Sequence, residues 1–513
     1  MQLRARFMPP CFFAAACLCS LGRAADSAPP RTELLPLVRR AVDALVERGT
    51  DRWGSERTAM IISILDRRTL EPPQAKMPRA PAGVRAGDRT NAFGSNANLQ
   101  QNLYETMFQL SEVTGDAKYR DAATAALVDF VRRTQSPATE LLGWGEHLFY
   151  DLNRDAVGTD DAGGTPHPPI HEMKRKFLHW DLLYAREPER VLKFARGLWD
   201  HQIYDHKTGD FSRHANWDKH NPRRGFDFTK EGGYMIDVWA RAYEASDDPT
   251  FVTAVDVLAG RYRGKLNDRN LLDYDSTRKN YCNNGHNVTL ATECDRAAPR
   301  FAKAPPTAAR LHELAASIDR GFLSCAHAPS VADRGFIASC LTENGEPCDR
   351  EGPGPGGYSV TWGMGYGKQS TAMIGLHCYH RSRQLGDSTA GRAYRELFFA
   401  AAERYRATSI PRVEKKAEDK LDVWAVEPAT AIFLELAAFR ATDDAKYLAA
   451  ADRLADEAVA AFFDSSSPLP KASLLSSHYE VMCGPDTLLL SLLAVACEHH
   501  NPPHHVPITD IER

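Results

Sequence analysis

A chain of 513 residues, 43% apolar and 25% charged, has the balance of a water-soluble globular protein and the length for one large repeat-built domain or two to three smaller ones. Its formal net charge of −4 leaves no general basic excess to neutralise phosphates, which argues against nucleic acid as the main partner. A polyanion held in a locally basic groove stays compatible, because local field and net charge are different quantities.

At the N-terminus, Arg4 and Arg6 precede a small and apolar run over residues 11–21, and Gly22, Arg23 and Ala24 follow with the small residues a signal peptidase reads. The pattern predicts a signal peptide over residues 1–24 and one mature domain over 25–513, secreted or periplasmic. The run is too short to span a bilayer, and no later stretch predicts a membrane span. Eight cysteines remain beyond it. Cys282 with Cys294 and Cys340 with Cys348 lie in polar, Gly/Pro-rich segments and are candidates for short bridges that tie down loops.

Further along, a helical theme recurs. Residues 108–127 read as a helix, a Gly115-Asp116 turn and a second Ala-rich helix, and related hairpins turn at Asp247-Asp248, Gly386-Asp387 and Asp443-Asp444. Each turn carries a residue able to cap the next helix, and apolar residues recur at three- and four-residue spacing. The spacing of the hairpins is irregular, and residues 165–169, 265–305 and 342–357 read as long polar loops. Binding loops gathered on one face of a rigid scaffold suit a closed toroid better than an open solenoid. The expected class is therefore all-α, an (α/α) toroid of repeated hairpins with loops forming a cleft on one face. Residues 358–362 are the best short strand, running into a glycine cluster ahead of a helix at Ser370.

Candidate chemistry concentrates between Gly143 and Trp239. Eight of the eighteen histidines fall there (His147, His167, His171, His179, His201, His206, His214 and His220), among carboxylates, arginines and tryptophans. Two imidazoles and a carboxylate suit a divalent ion of intermediate hardness and leave open positions for a substrate oxygen or water. The order His147, Glu172, then the adjacent pair Arg213-His214 resembles the family 2 pectate lyases, which are α/α barrels. The resemblance covers about the first half of the mature chain. It implies that His147, Glu172 and His214 hold a divalent transition metal, Mn2+, that Arg213 is the base, and that the partner is an acidic polysaccharide, pectate or a related polyuronate.

Each residue has a plainer role to weigh. Glu172 follows Pro168-Pro169 and reads as the first turn of a helix, with Arg175 and Lys176 in ion-pair reach. His171 is a neighbouring candidate for metal or substrate. His179 is a reserve ligand or an interfacial histidine. His147 lies between Trp144 and Phe149 and suits a buried, hydrogen-bonded position nearly as well. Arg213 and His214 reach one site only from a loop or helix end, which the turn over residues 205–210 permits.

In β-elimination the C5 proton becomes acidic when charge growing on the uronate carboxylate is stabilised, the task of a bound divalent cation. An arginine base is awkward, since guanidinium is normally always charged. Arg223, Arg224, Lys230 and Lys368 are candidates for neighbouring uronate carboxylates, and Trp144, Trp217 or Trp362 for stacking on sugar faces. Two other classes remain: an α/α-barrel glycoside hydrolase acting on unsaturated uronic-acid oligosaccharides through Asp151, Asp155, Asp218 or Asp227, and a non-catalytic glycan-binding protein.

Overall fold

The computed structural model describes residues 33–73, 76–160, 164–332, 334–348, 356–365, 367–412, 422–500 and 502–510. The expected signal peptide lies outside them. Fourteen α-helices are described: α1 (Leu34–Gly49), α2 (Gln101–Thr114), α3 (Ala117–Thr134), α4 (Trp180–Arg186), α5 (Pro188–Gly197), α6 (Thr229–Ser246), α7 (Pro249–Lys265), α8 (Asn284–Ala297), α9 (Pro305–Leu323), α10 (Thr371–Leu385), α11 (Thr389–Arg406), α12 (Val426–Thr442), α13 (Ala445–Phe462) and α14 (Pro485–Glu498).

The hairpin turns follow from their residues. Gly115 ends α2 in the left-handed region, and the Asp116 carboxylate accepts the Lys118 amide to start α3. Asp247 and Asp443 take the same left-handed position after α6 and α12, which aspartate tolerates better than most residues. Asp248 and Asp444 then cap α7 and α13. At the turn after α10 the cap is Ser388, one residue beyond the Gly386-Asp387 pair.

Pairing of the helices closes a ring. α6 packs on α8, α8 on α10, α10 on α12, α12 on α14 and α14 on α2, while α4 and α5 bridge α3 back to α6. α1, α3, α7, α9, α11 and α13 stand outside these as partners. The inner helices are buried on nearly every side, and every residue of α14 is buried. This is the α/α toroid, and its short strands serve the loops.

Three expectations change. Residues 265–305 are not a long loop, for they contain α8, an inner helix whose buried positions include Asn284, His286, Asn287, Thr289, Thr292 and Glu293 and so lack an apolar signature. Residues 358–362 form no strand, only isolated bridges from Tyr358 to Ile337 and from Val360 to Ser370. The eight cysteines among the described residues are free thiols. Cys340 faces Cys282 across an antiparallel ladder, whereas Cys294 is buried within α8.

After α14, the chain doubles back into the ring. His504 Nε2 meets Gln109 Oε1 at 2.9 Å, Arg440 Nη1 donates to the Val506 carbonyl at 2.7 Å, and Thr509 Oγ1 donates to Asn102 Oδ1 at 3.3 Å. The segment thus runs along α2 from Gln109 towards Asn102, and its Asp510 carboxylate is buried in an ion pair with Lys176. Lys176 holds that carboxylate, against burial, well below its usual range.

Candidate metal centre

Glu172 and His214 are brought together by a two-residue ladder. The strand Ile170–His171 runs antiparallel to Ala215–Asn216, with His171 opposite Ala215. One step beyond the ladder, Glu172 therefore faces His214, and His214 Nε2 lies 3.9 Å from Glu172 Oε2. His147 completes the group from the loop ahead of the strand Phe149–Asp151, its ring 5.2 Å from that of His214 and 5.5 Å from that of His167. One ligand atom from each of His147, Glu172 and His214 lies within 4.8 Å of the others.

The His147 loop is held close by two devices. Gly145 has φ +108°, and a Cβ there would stand 2.6 Å from the Glu172 carbonyl oxygen, so only glycine lets the two segments pass. Asn96 Nδ2 donates to the carbonyls of Gly145 at 2.8 Å and Leu148 at 2.9 Å. On the other segment, Asn98 exchanges bonds with the Arg175 backbone. Arg213 and His214 lie in an irregular turn, where Gln202 Nε2 donates to the Ser212 carbonyl at 3.0 Å and the Arg213 carbonyl at 2.9 Å.

The electrostatics centre on the fully buried Glu172 carboxylate. Arg213 Nη1 donates to its Oε1 and lies 3.5 Å from Glu146 Oε2; Glu146 also receives Lys174 Nζ. Burial opposes ionisation of both acids, but Arg213 keeps Glu172 below the usual carboxylate range, and Lys174 with Arg213 keeps Glu146 well below it. The same carboxylates raise the Arg213 pKa against burial. Burial pushes His214 down to about 4, so its imidazole is neutral and has a lone pair to give. Glu231, at the start of α6, is pushed well above its usual range by burial and by the charge on Glu172. Glu146, Lys174 and Glu231 escaped the sequence reading, although Glu146 adjoins His147 and Glu231 adjoins Lys230.

These residues fit a divalent ion. Glu172 Oε2 and His214 Nε2 are buried, converge, and have no hydrogen-bond partner, and a cation taking a lone pair from each would satisfy both.

The remaining candidates fall elsewhere. Trp144 is fully buried among Phe130, His171, Phe177, Trp180 and Phe194, so in place of a sugar platform it is a wall of the core. His171 points to the same side, as strand alternation requires of the neighbour of Glu172; its Nδ1 is 2.7 Å from the Leu142 carbonyl, and burial lowers it to about 4. It is not among the grouped ligands. Glu172 itself follows a strand, not a helix start, and its cation is Arg213. His179 is interfacial, 3.1 Å from the Gln101 carbonyl and packed on Phe108. Trp217 is half-buried and anchored by Nε1 donating to the Thr134 carbonyl at 2.8 Å. Arg224 is exposed over the Tyr204 ring, Lys230 is buried beside Glu231, and Lys368 is exposed ahead of α10. Among the hydrolase candidates, Asp155 accepts Ser55 and Glu56 amides, Asp227 pairs with Arg261, and Asp151 accepts Asn91 and two backbone amides, while Asp218 is exposed. A cavity of about 750 Å3 between α3 and α4 is lined by Arg120, Asp121, Arg132 and Arg186 and includes none of the three grouped ligands.

A closed helical toroid carrying an imidazole-carboxylate cluster defines the class: an (α/α)-toroid protein with a candidate metal centre. The family described as periplasmic pectate lyase matches residues 77–256, the stretch that contains His147, Glu172, Arg213 and His214. A pectate disaccharide-lyase of Dickeya dadantii (strain 3937) is 28% identical over 123 residues, 24% of this chain and 22% of that protein, so the match spans about a fifth of the relative's length. Solved structures with similar overall form include an unsaturated glucuronyl hydrolase specific for heparin (11% identity, 91% of this chain and 97% of that one, TM-score 0.45). Others are a D-mannose isomerase (12%, 92% and 99%, 0.41) and the GH76 α-mannanase of Bacteroides thetaiotaomicron (9%, 91% and 96%, 0.43). The fold assignment rests on the helix pairing itself.

Proposed function

We infer that the protein is a secreted or periplasmic polysaccharide lyase that cleaves pectate or a related polyuronate by metal-assisted β-elimination. The observation that carries this reading is the ladder that sets Glu172 against His214, with His147 beside them and Arg213 on the other carboxylate oxygen. His147, Glu172 and His214 would hold the ion, Mn2+ in keeping with the family resemblance, and it would stabilise charge growing on the uronate carboxylate as a Lewis acid. Arg213 takes the part of the base at C5. Its guanidinium is held charged by Glu172 and Glu146, so this role requires competition for Glu172 to loosen the ion pair. Lys230, Arg224 and Lys368 are the proposed contacts for flanking uronates.

A hydrolase is the weaker reading, because Asp151, Asp155 and Asp227 are each committed to structural bonds. A lyase creates an unsaturated chain end that absorbs in the ultraviolet, and a hydrolase of unsaturated oligosaccharides consumes one. Rising absorbance on polygalacturonate, alginate or glucuronan, abolished by chelator and by His214→Ala, is the expected result. Flat traces on all three from folded protein supplied with manganese would overturn the lyase reading.

A further inference from the structure

Three of the eight thiols meet away from the candidate metal centre. Cys340, in the strand Ser339–Leu341, lies opposite Cys282 of the strand Arg278–Asn283, and Cys325 packs against the same small buried cluster from just beyond the end of α9. The Asn284 side chain touches two of the sulfurs: its Nδ2 is 3.6 Å from Cys325 Sγ, and Cys340 Sγ donates to its Oδ1 at 3.8 Å. The Cys282 thiol raises the Cys340 pKa and the Cys325 thiol opposes it, so both thiols act on Cys340. None of the three has a part in the chemistry proposed above.

Partner choice for Cys340 follows from strand geometry. The amide of Asn284 donates to the Ala338 carbonyl and that of Thr342 to the Asn280 carbonyl, so the alternation of an antiparallel ladder puts Cys282 and Cys340 at a hydrogen-bonded pair. The Cβ atoms of such a pair stand about 5.5 Å apart, beyond the roughly 3.5–4.5 Å that a disulfide uses. Cys348 is also close in sequence. The bridge of Cys340 to Pro347 and the bond from the Cys348 amide to the Ser339 carbonyl set Cys348 opposite Ser339, on the other face of the ladder from Cys340. Cys325 comes from outside the ladder, so no strand register fixes its distance from Cys340. It is also the partly exposed member of the trio, and so the one an external reagent meets first.

The geometry points to a disulfide site at Cys325 and Cys340, formed by exchange with a small-molecule or protein disulfide. The Cys325 thiolate attacks the donor R–S–S–R, forming the Cys325–S–S–R bond and releasing RS−. The Cys340 thiolate then attacks the Cys325 sulfur, forming the Cys325–Cys340 bond and releasing the second RS−. The two protein thiols are oxidised, the donor is reduced to two thiols, and the two protons pass to the released thiolates. The neighbouring Cys340 thiol and burial raise the pKa of Cys325, so the first attack is slow without a strong donor. The product ties residues 325–340 to the sheet whose strand leads through Asn283, the cap of α8, into the inner ring.

The test is a non-reducing peptide map of the full chain after incubation with oxidised glutathione, with remaining thiols alkylated after unfolding. A cross-linked peptide joining Cys325 to Cys340, cleaved by reductant and retained in Cys282→Ser, is the expected result, with an intact mass about 2 Da below that of the reduced chain. A link from Cys340 to Cys282 or to Cys348 overturns the assignment, as does full alkylation of Cys325 and Cys340 in the treated wild type. The wild-type map needs no variant to fold, so the outcome is decisive whether or not Cys282→Ser is stable.

Discussion

Glu435 lies in the middle of α12, fully buried, and neither of its carboxylate oxygens has a hydrogen-bond partner. Burial, with help from the charge on Glu403, pushes it up to about 9, so at neutral pH it is protonated in the folded chain and ionised in the unfolded one. A group whose folded pKa is raised contributes stability fully present below the unfolded value, here 4.5, and lost as pH rises towards the folded value. At about 1.4 kcal/mol per pH unit, the loss at pH 7 amounts to roughly 3 kcal/mol, levelling near roughly 6 kcal/mol above pH 9. Glu435→Gln removes the titration and keeps the shape. Urea unfolding of both proteins from pH 4 to pH 9 should give similar stabilities at the acid end and a gap favouring the variant that widens by about 1.4 kcal/mol per pH unit between 4.5 and 9. Parallel curves, or a gap that widens towards acid, would refute the claim that this carboxyl is buried uncharged.

Other expectations are equally direct. His214→Ala should weaken Mn2+ binding by at least about 10–100-fold by calorimetry while leaving the circular dichroism spectrum intact; unchanged affinity would remove His214 from the metal set. Gly145→Ala forces a Cβ to within 2.6 Å of the Glu172 carbonyl at a positive φ, and should cost about 1–3 kcal/mol in a thermal melt together with metal affinity; a neutral substitution would mean the two segments are not in contact. Asp510→Asn leaves Lys176 buried without its carboxylate and should cost about 3–5 kcal/mol at pH 7 in urea unfolding. Because the Asp510 pKa is depressed, its contribution is present above the unfolded value of 3.8 and fades as pH falls, so wild type and variant should converge in acid. Convergence in alkali instead would contradict the ion pair.

Much of the outer ring is legible in the sequence because its information is local. Asp116, Asp248 and Asp444 cap the helices that follow them, and α1, α11 and α13 each bury one face. The inner helices defeat periodicity for opposite reasons. α14 and most of α12 are buried on every side, while α8 buries asparagine, threonine and glutamate, so none of them shows a stripe. The grouping of His147, Glu172 and His214 is what the resemblance to the family 2 pectate lyases implies, and the structure brings these three together. What chain order cannot supply is register: whether Glu172 or His171 turns towards His214 depends on a ladder between segments more than forty residues apart, and a slip of one residue would exchange them. Trp144 misleads because an aromatic beside a polar loop has the same local signature whether it floors a groove or fills the core.

The ring has a seam. α14 closes the toroid by packing on α1 and α2, and the segment after it is threaded back along α2 as far as Asn102. Contacts of such sequence separation form late, since the loop entropy they remove is large and nothing local repays it beforehand. The candidate metal centre, by contrast, draws its ligands from residues 147–214 and its clamps from Asn96 and Asn98. A chain emerging from its N-terminal end therefore holds all of the metal ligands before the ring can shut, while Lys176, which neighbours Glu172 on one segment, acquires its carboxylate only when Asp510 arrives. Assembly of the toroid should thus have two tempos: an early half that can already gather its ligands, and a slow clasp supplied by the last helix and the strand of chain beyond it.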